Sequence, residues 1–174
     1  MSERVDGYAA AFLEVARAED ELERVSDELF LFARGLERAD DLYQALTDQN
    51  LPAEKRQTIV LELLGPKALP ITGSLVAFVV GAGRTRDLVA IVDRLVEMAA
   101  AEVDKEVAEV RSSVPLDEDQ QKRLAKALSE NLGKQVEVKV VVDPDVLGGL
   151  MARVGDTVID GTVRHRLDQL RESM

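Results

Sequence analysis

The segment KEVAEVRSSVPLDED, residues 105–119, is where the periodicity of this chain changes. Val107, Glu109, Arg111 and Ser113 alternate with Ala108, Val110, Ser112 and Val114, the two-residue period of a strand. Pro115 closes that strand, Asp117-Glu118-Asp119 opens a helix that runs to about Leu132, and Gly133 ends it. Upstream the apolar residues recur at three- and four-residue steps instead. The switch near Glu106 therefore predicts a domain boundary, with a helical domain over residues 1–105 and a small α/β domain over 106–174.

Upstream of the boundary, six helices are expected. Ser2 can cap the first, whose apolar positions are Val5, Tyr8, Phe12, Val15 and Ala16. The second is expected from about Asp20 to Leu36, with Leu22, Val25, Leu29 and Phe32 inside, and a short third over Asp40 to Asp48. Pro52 sits in the first turn of the fourth, where its missing N–H has no helical partner to lose, and Gly65-Pro66 ends it. The fifth, about Pro70 to Val80, is almost wholly apolar and so must be covered on most sides. Gly81-Ala82-Gly83 stops it, and a sixth follows from about Arg86 to Lys105 with Leu88, Ile91, Val92, Leu95 and Val96 inside.

Downstream, Val136 to Val142 reads as a strand of strong β propensity, turned by Asp143-Pro144-Asp145. Leu150 to Val154 and Thr157 to Ile159 are two more, joined by a tight turn at Gly155-Asp156, and a last helix is expected from about Thr162 to Glu172. The fold class expected is α+β, an all-α six-helix N-terminal bundle followed by a small C-terminal α/β domain.

Composition narrows the chemistry. The 174 residues contain no cysteine, which removes disulfides, thiolate nucleophiles and Cys-based zinc sites. A net charge of −11 opposes binding to nucleic acid and to anionic lipid, and no basic run offsets it. Residues 1–104 hold 11 Lys/Arg against 20 Asp/Glu, so the helical half carries most of that excess. The N-terminus lacks the order of a secretory signal, and the longest apolar stretch, Leu75 to Val80, falls far short of the roughly 20 residues that cross a bilayer, so no membrane insertion is expected.

No stretch reads as an active site. Asp143, Asp145, Asp156 and Asp160 lack the ligand spacing of a calcium loop, and Gly81-Ala82-Gly83-Arg84 lacks both a Gly-Lys-Ser/Thr ending and a preceding strand. That second stretch reads as a helix terminator. His165, the only histidine, has no nucleophile motif to serve and reads as a solvated side chain, while Glu118 and Asp119 suit the dipole of the helix they begin. Expected catalytic residues, metal ligands and cofactors are accordingly none. Asp143, Gly148, Gly149, Arg153, Gly155, Asp156, Asp160 and Gly161 form a dense run of turn-forming and charged residues whose role reads as shape.

Three stretches carry a resemblance over essentially the whole chain: residues 8–16 (YAAAFLEVA), Val107 to Leu116 with the acidic helix start behind it, and residues 142–164 (VDPDVLGGLMARVGDTVIDGTVR). Together they resemble the delta subunit family of bacterial F-type ATP synthases, which includes the mitochondrial oligomycin-sensitivity-conferring subunit. Ala152 departs from the larger aliphatic residue usual there, which puts the packing under that strand in doubt. The resemblance implies a non-catalytic stator subunit linking the alpha/beta catalytic head to the peripheral stalk. It would resist rotary torque as a peripheral protein on the cytoplasmic side of the cell membrane. It further implies that the N-terminal segment of an alpha subunit is held between helices one and five, at Tyr8, Ala9, Ala11, Phe12, Val15, Leu75, Val76, Phe78 and Val79, with Tyr8 and Phe12 as anchors. The C-terminal end of the b subunit would meet the second domain, through strands Val136 to Val142 and Leu150 to Ile159 and the last helix, where Lys139, Arg153 and Arg164 read as solvated charges. Two other readings stay open, a free-standing acidic helical adaptor and a small ligand-binding α/β domain with a helical cap.

Overall fold

The computed structural model describes residues 3–102, 105–146 and 148–161. Ser2 as a cap, Leu147, the last helix with Arg164 and His165, and part of the expected boundary lie outside the described residues. The chain divides into two compact units, Met1–Ala99 and Ala100–Met174. It is α+β: mostly helical, with one four-stranded sheet.

The helices that begin in the first unit are α1 (Glu3–Ala18), α2 (Leu22–Arg38), α3 (Asp40–Thr47), α4 (Ala53–Leu64), α5 (Pro70–Gly81) and α6 (Leu88–Glu102), the last ending just past the division, with single 3-10 turns at Gly65–Lys67 and Thr85–Asp87. A seventh helix, α7 (Glu118–Leu132), lies in the second unit, so a count of six does not describe the described residues as a whole. The apolar stripes read from periodicity become the core. Val25 and Leu29 of α2 and Leu88, Ile91, Val92 and Leu95 of α6 have no exposed surface. Each such side chain contributes about 1.5–3 kcal/mol by leaving water.

Two helix ends differ from expectation for one reason. Asp20 does not begin α2: it adopts φ +57°, and the N–H groups of Asp20 and Glu21 donate back to the carbonyls of Arg17 and Ala16 at 3.0 Å each. This is a Schellman closure of α1, with an aspartate in the left-handed position that glycine usually fills. Gly83 (φ +70°) does the same for α5, with Gly83 and Arg84 donating to Val80 and Val79. The terminator is thus Gly83, and Gly81 belongs to the helix.

Polar ties join the helices of this unit. Arg94 Nε of α6 donates to Asp6 Oδ1 of α1 at 2.8 Å, and Gln57 Nε2 of α4 donates to the Ala77 carbonyl of α5 at 3.1 Å. Arg34 of α2 bonds Asp93 of α6 and lies 4.9 Å over the Phe30 ring. Glu28 of α2 reaches the start of α5, where Oε2 accepts from the Leu69 N–H at 2.8 Å and the Thr72 hydroxyl at 2.6 Å. The first turn of α5 contains no acidic residue, so the carboxylate that favours its dipole comes from another helix.

The second unit contains β1 (Glu106–Ser112), α7, β2 (Val136–Val142), β3 (Leu150–Val154) and β4 (Thr157–Asp160), with sheet order β2-β1-β3-β4. β1 and β2 are parallel from Glu106↔Val136 to Ser112↔Val142, joined through α7. β3 is antiparallel to β1 (Val110↔Ala152) and to β4 (Ala152↔Ile159), so the sheet is mixed. Ala108, Val110, Val136, Ala152, Val154 and Leu128 form its core, with Leu116, Leu124, Leu132, Val138, Leu150 and Ile159 packed against it. Ala152, the position short of side-chain volume, is 4% exposed within that cluster. Asp117 caps α7 with a full capping box: its side chain accepts from the Gln120 N–H at 2.7 Å while Gln120 Oε1 accepts from the Asp117 N–H at 2.9 Å.

Candidate partner-binding surfaces

The α1/α5 residues singled out by sequence divide sharply in the fold. Ala9, Val76 and Val79 have no exposed surface, Phe12 is 2% exposed, and Leu75 is buried. Phe12 is therefore a core residue and not an exposed anchor. On α1 it lies on the stripe Val5, Ala9, Phe12, Ala16, which faces the bundle. Left at the surface are Tyr8, half-buried, Ala11 and Val15, exposed, and Phe78, 58% exposed.

These four are neighbours by construction. Positions 8, 11 and 15 follow three- and four-residue steps along α1, beside the buried stripe. Phe78 projects from α5 so that its ring centroid lies 5.9 Å from that of Tyr8, and the Tyr8 and Phe12 rings meet edge-on at 6.4 Å. Tyr8 is thus packed on a buried ring on one side and an exposed ring on the other. The result is an apolar strip that an amphipathic helix could cover, with no titratable group in the strip besides the Tyr8 hydroxyl.

Exposed apolar side chains that the sequence did not single out are Leu31 on α2 and Leu61 and Leu63 on α4. The run Leu29-Phe30-Leu31-Phe32 held the signal. At 100° per residue, four consecutive apolar residues cannot all face inward, and Leu31 is the one turned out at 59% exposure.

In the second unit, the run of turn residues is built into the end of the sheet. The Asp143 N–H donates to the Ser112 carbonyl at 2.7 Å, its Oδ1 accepts from the Asp145 N–H at 3.1 Å, and its Oδ2 from Arg111 Nη1 at 3.4 Å. Gly148, Gly149 and Gly155 all have positive φ, and at Gly149 the value of +105° is open only to glycine. The Gly161 N–H donates to the Leu150 carbonyl at 2.9 Å, closing the far side of the β3–β4 hairpin, where Asp156 is exposed at the turn and Asp160 half-buried. Arg153 is exposed, as read from sequence, with Nε 3.4 Å from the Gly155 carbonyl. Lys139 departs from the reading: it is 8% exposed, its ammonium 2.7 Å from Glu137 on the same face of β2. Among the described residues of this unit, Val114, Val142 and Val158 are the exposed large apolar ones. Among the described residues no three His, Cys, Asp or Glu side chains gather as a metal site, and no helix is long and apolar enough to cross a membrane.

A helical unit followed by a small mixed-sheet unit, with an apolar strip exposed on the first, defines an α+β protein of two parts. Residues 5–174 match the family model for the ATP synthase delta (OSCP) subunit, and the chain belongs to that family. It is 41% identical over 177 residues to the ATP synthase subunit delta of Salinispora arenicola, covering 99% of this chain and 65% of that protein. With the same subunit of Nocardia farcinica it shares 43% over 164 residues, 94% of this chain and 61% of the relative. The chain thus spans somewhat under two thirds of the length of these relatives. Among solved structures it is similar, at 27% identity and a TM-score of 0.59, to a chain of the Toxoplasma gondii mitochondrial ATP synthase hexamer seen by cryo-EM. That match covers 99% of this chain and 97% of the other.

Proposed function

We propose that this chain is a non-catalytic stator subunit of an F-type ATP synthase. In this reading it links the alpha/beta head to the b subunit of the peripheral stalk, so that torque on the head is resisted and proton flow is coupled to ATP synthesis. Family membership supports the reading, and the observation that carries it is Phe78. A phenyl ring 58% exposed and tilted against Tyr8, in a unit whose other aromatics on α1 and α2 are buried, is surface held ready for a partner. The partner segment proposed there is the N-terminal helix of an alpha subunit, lying along Tyr8, Ala11, Val15 and Phe78. The acid excess of the helical half favours a segment with basic residues flanking its apolar face. The second unit is proposed to hold the C-terminal end of the b subunit, and the protein to sit peripherally on the cytoplasmic side of the membrane.

Calorimetric titration with a synthetic peptide of the alpha subunit's N-terminus tests the first contact. Phe78→Asp is expected to weaken binding by about tenfold or more while leaving the helical circular dichroism unchanged. Unaltered affinity in that variant, or no heat with the unsubstituted chain, would reject the α1/α5 surface.

A further inference from the structure

As a sequence, Gly81-Ala82-Gly83-Arg84 is a helix terminator, and its backbone behaves as one. The N–H groups of Ala82, Gly83 and Arg84 all donate to α5 carbonyls at 3.0 Å, so the loop offers no free amides to an anion. Its side chains do something different. With residues from the end of α3 and from α4 they line a cavity of about 530 Å3, whose charged groups are Arg56, Arg84 and Arg86 against the single carboxylate of Asp87. In a chain of net charge −11, three guanidiniums drawn to one hollow reverse the prevailing sign.

Arg56 is the member that points to a ligand. It is only 8% exposed, and its Nε is buried with no hydrogen-bond partner. The one hydrogen bond its side chain makes, Nη1 to the Leu46 carbonyl, is 3.4 Å, beyond the usual range for N–H···O. The Nε itself is sealed from the cavity, but a nearly buried guanidinium held by one long bond is costly, and an anion in the cavity it lines is the group that would complete the partners of its outer nitrogens. Arg84 is half-buried and Arg86 exposed, so the three supply donors from inside the cavity out to solvent.

We propose that this cavity binds a phosphate-type oxyanion, either free phosphate or the terminal phosphate of a nucleotide. Three arginines less one aspartate leave an excess of positive charge that suits a dianion, and guanidinium forks match tetrahedral oxygens two at a time. No aromatic side chain lines the cavity, so the recognition is of the phosphate and not of a base. Neither Tyr8 nor Phe78 lines the cavity, and the proposal does not depend on any partner at that strip.

The test is titration of the full chain with potassium phosphate and, separately, with ADP, at ionic strength fixed by potassium chloride. Thermal unfolding is followed in parallel. The expected result is saturable binding and a rise in Tm, with affinity falling about tenfold or more in the double variant Arg84→Gln/Arg86→Gln. The single Arg86→Gln change, at an exposed residue, stands in if the double variant loses helix. Competition between ADP and phosphate would assign a nucleotide phosphate as a ligand, and phosphate binding indifferent to ADP would assign free phosphate; either supports the site. Absence of saturable binding by both, or equal affinity and equal Tm rise in the variants, would overturn it, since a general salting effect acts on all of them alike.

Discussion

Phe12 and Phe78 look alike in the sequence, each an aromatic on a helix rich in apolar residues, and they end in opposite places. Phe12 shares the inward stripe of α1 and is buried, whereas Phe78 stands at the outer side of a helix whose other apolar residues saturate the core. Periodicity located both helices but could not tell the two rings apart. For α5, apolar on nearly every side, no stripe marks which residue faces out, and the answer depends on where α1 and α4 lie. Substitution should separate them: Phe12→Ala is expected to lose about 3–5 kcal/mol in urea unfolding, and Phe78→Ala about 0.5 kcal/mol or less. Comparable losses would mean that the ring at 78 is packed in solution.

Glu28 is a second residue whose role only the fold reveals. Burial alone would push its carboxyl up, but hydrogen bonds from the Thr72 hydroxyl, the Leu69 N–H and Arg24 together outweigh that, and it titrates below the ordinary carboxylate value. A carboxyl lowered in the folded state contributes stability that is whole above its unfolded pKa and is lost as pH falls through its folded one. Stability measured from neutral to acid pH should therefore fall more steeply for the unsubstituted chain than for Glu28→Gln, with the gap between them closing at low pH. Parallel curves would show that the link between α2 and α5 does not rest on the charged form.

At the scale of elements, the readings that held were those with local causes. β1 lies where alternation placed it but ends at Ser112, β2 and β3 keep the bounds read for them, and Asp117 with Gly133 bounds α7 through a capping box and a left-handed turn at φ +68°. Removing the cap by Asp117→Ala should cost about 1 kcal/mol, read as a lowered urea midpoint with an unchanged slope; no change would mean that packing against the sheet alone holds that end of α7. The start of α2 was misplaced because an acidic run favours a helix N-terminus in general, while at Asp20 the tight reversal after α1 demands positive φ. Lys139 was misjudged for a related reason. Alternation puts it on the same face as Glu137, and nothing in a strand's own sequence says whether that face is covered.

At the scale of the whole molecule, the two units divide after Ala99, inside α6 and short of the period change near Glu106, and each has its own buried apolar residues. A fragment of residues 1–105 is therefore expected to unfold cooperatively on heating, with helical circular dichroism; a broad, gradual melt would show that its core is incomplete alone. What the sequence made legible at this scale was the identity of the family, because its C-terminal run is dense in residues whose backbone demands are specific. The exposed part of the proposed contact surface was less legible, since five of the nine α1/α5 residues are sealed in the core and only the fold separates them from Tyr8, Ala11, Val15 and Phe78. The claim that this protein is a mechanical joint is tested most directly by ATP-driven proton pumping in membrane vesicles stripped of their own delta subunit. Adding this chain should restore pumping, and adding Phe78→Asp should leave it low while ATP hydrolysis by the head is unchanged. Equal pumping with both chains, or none with either, would contradict the account.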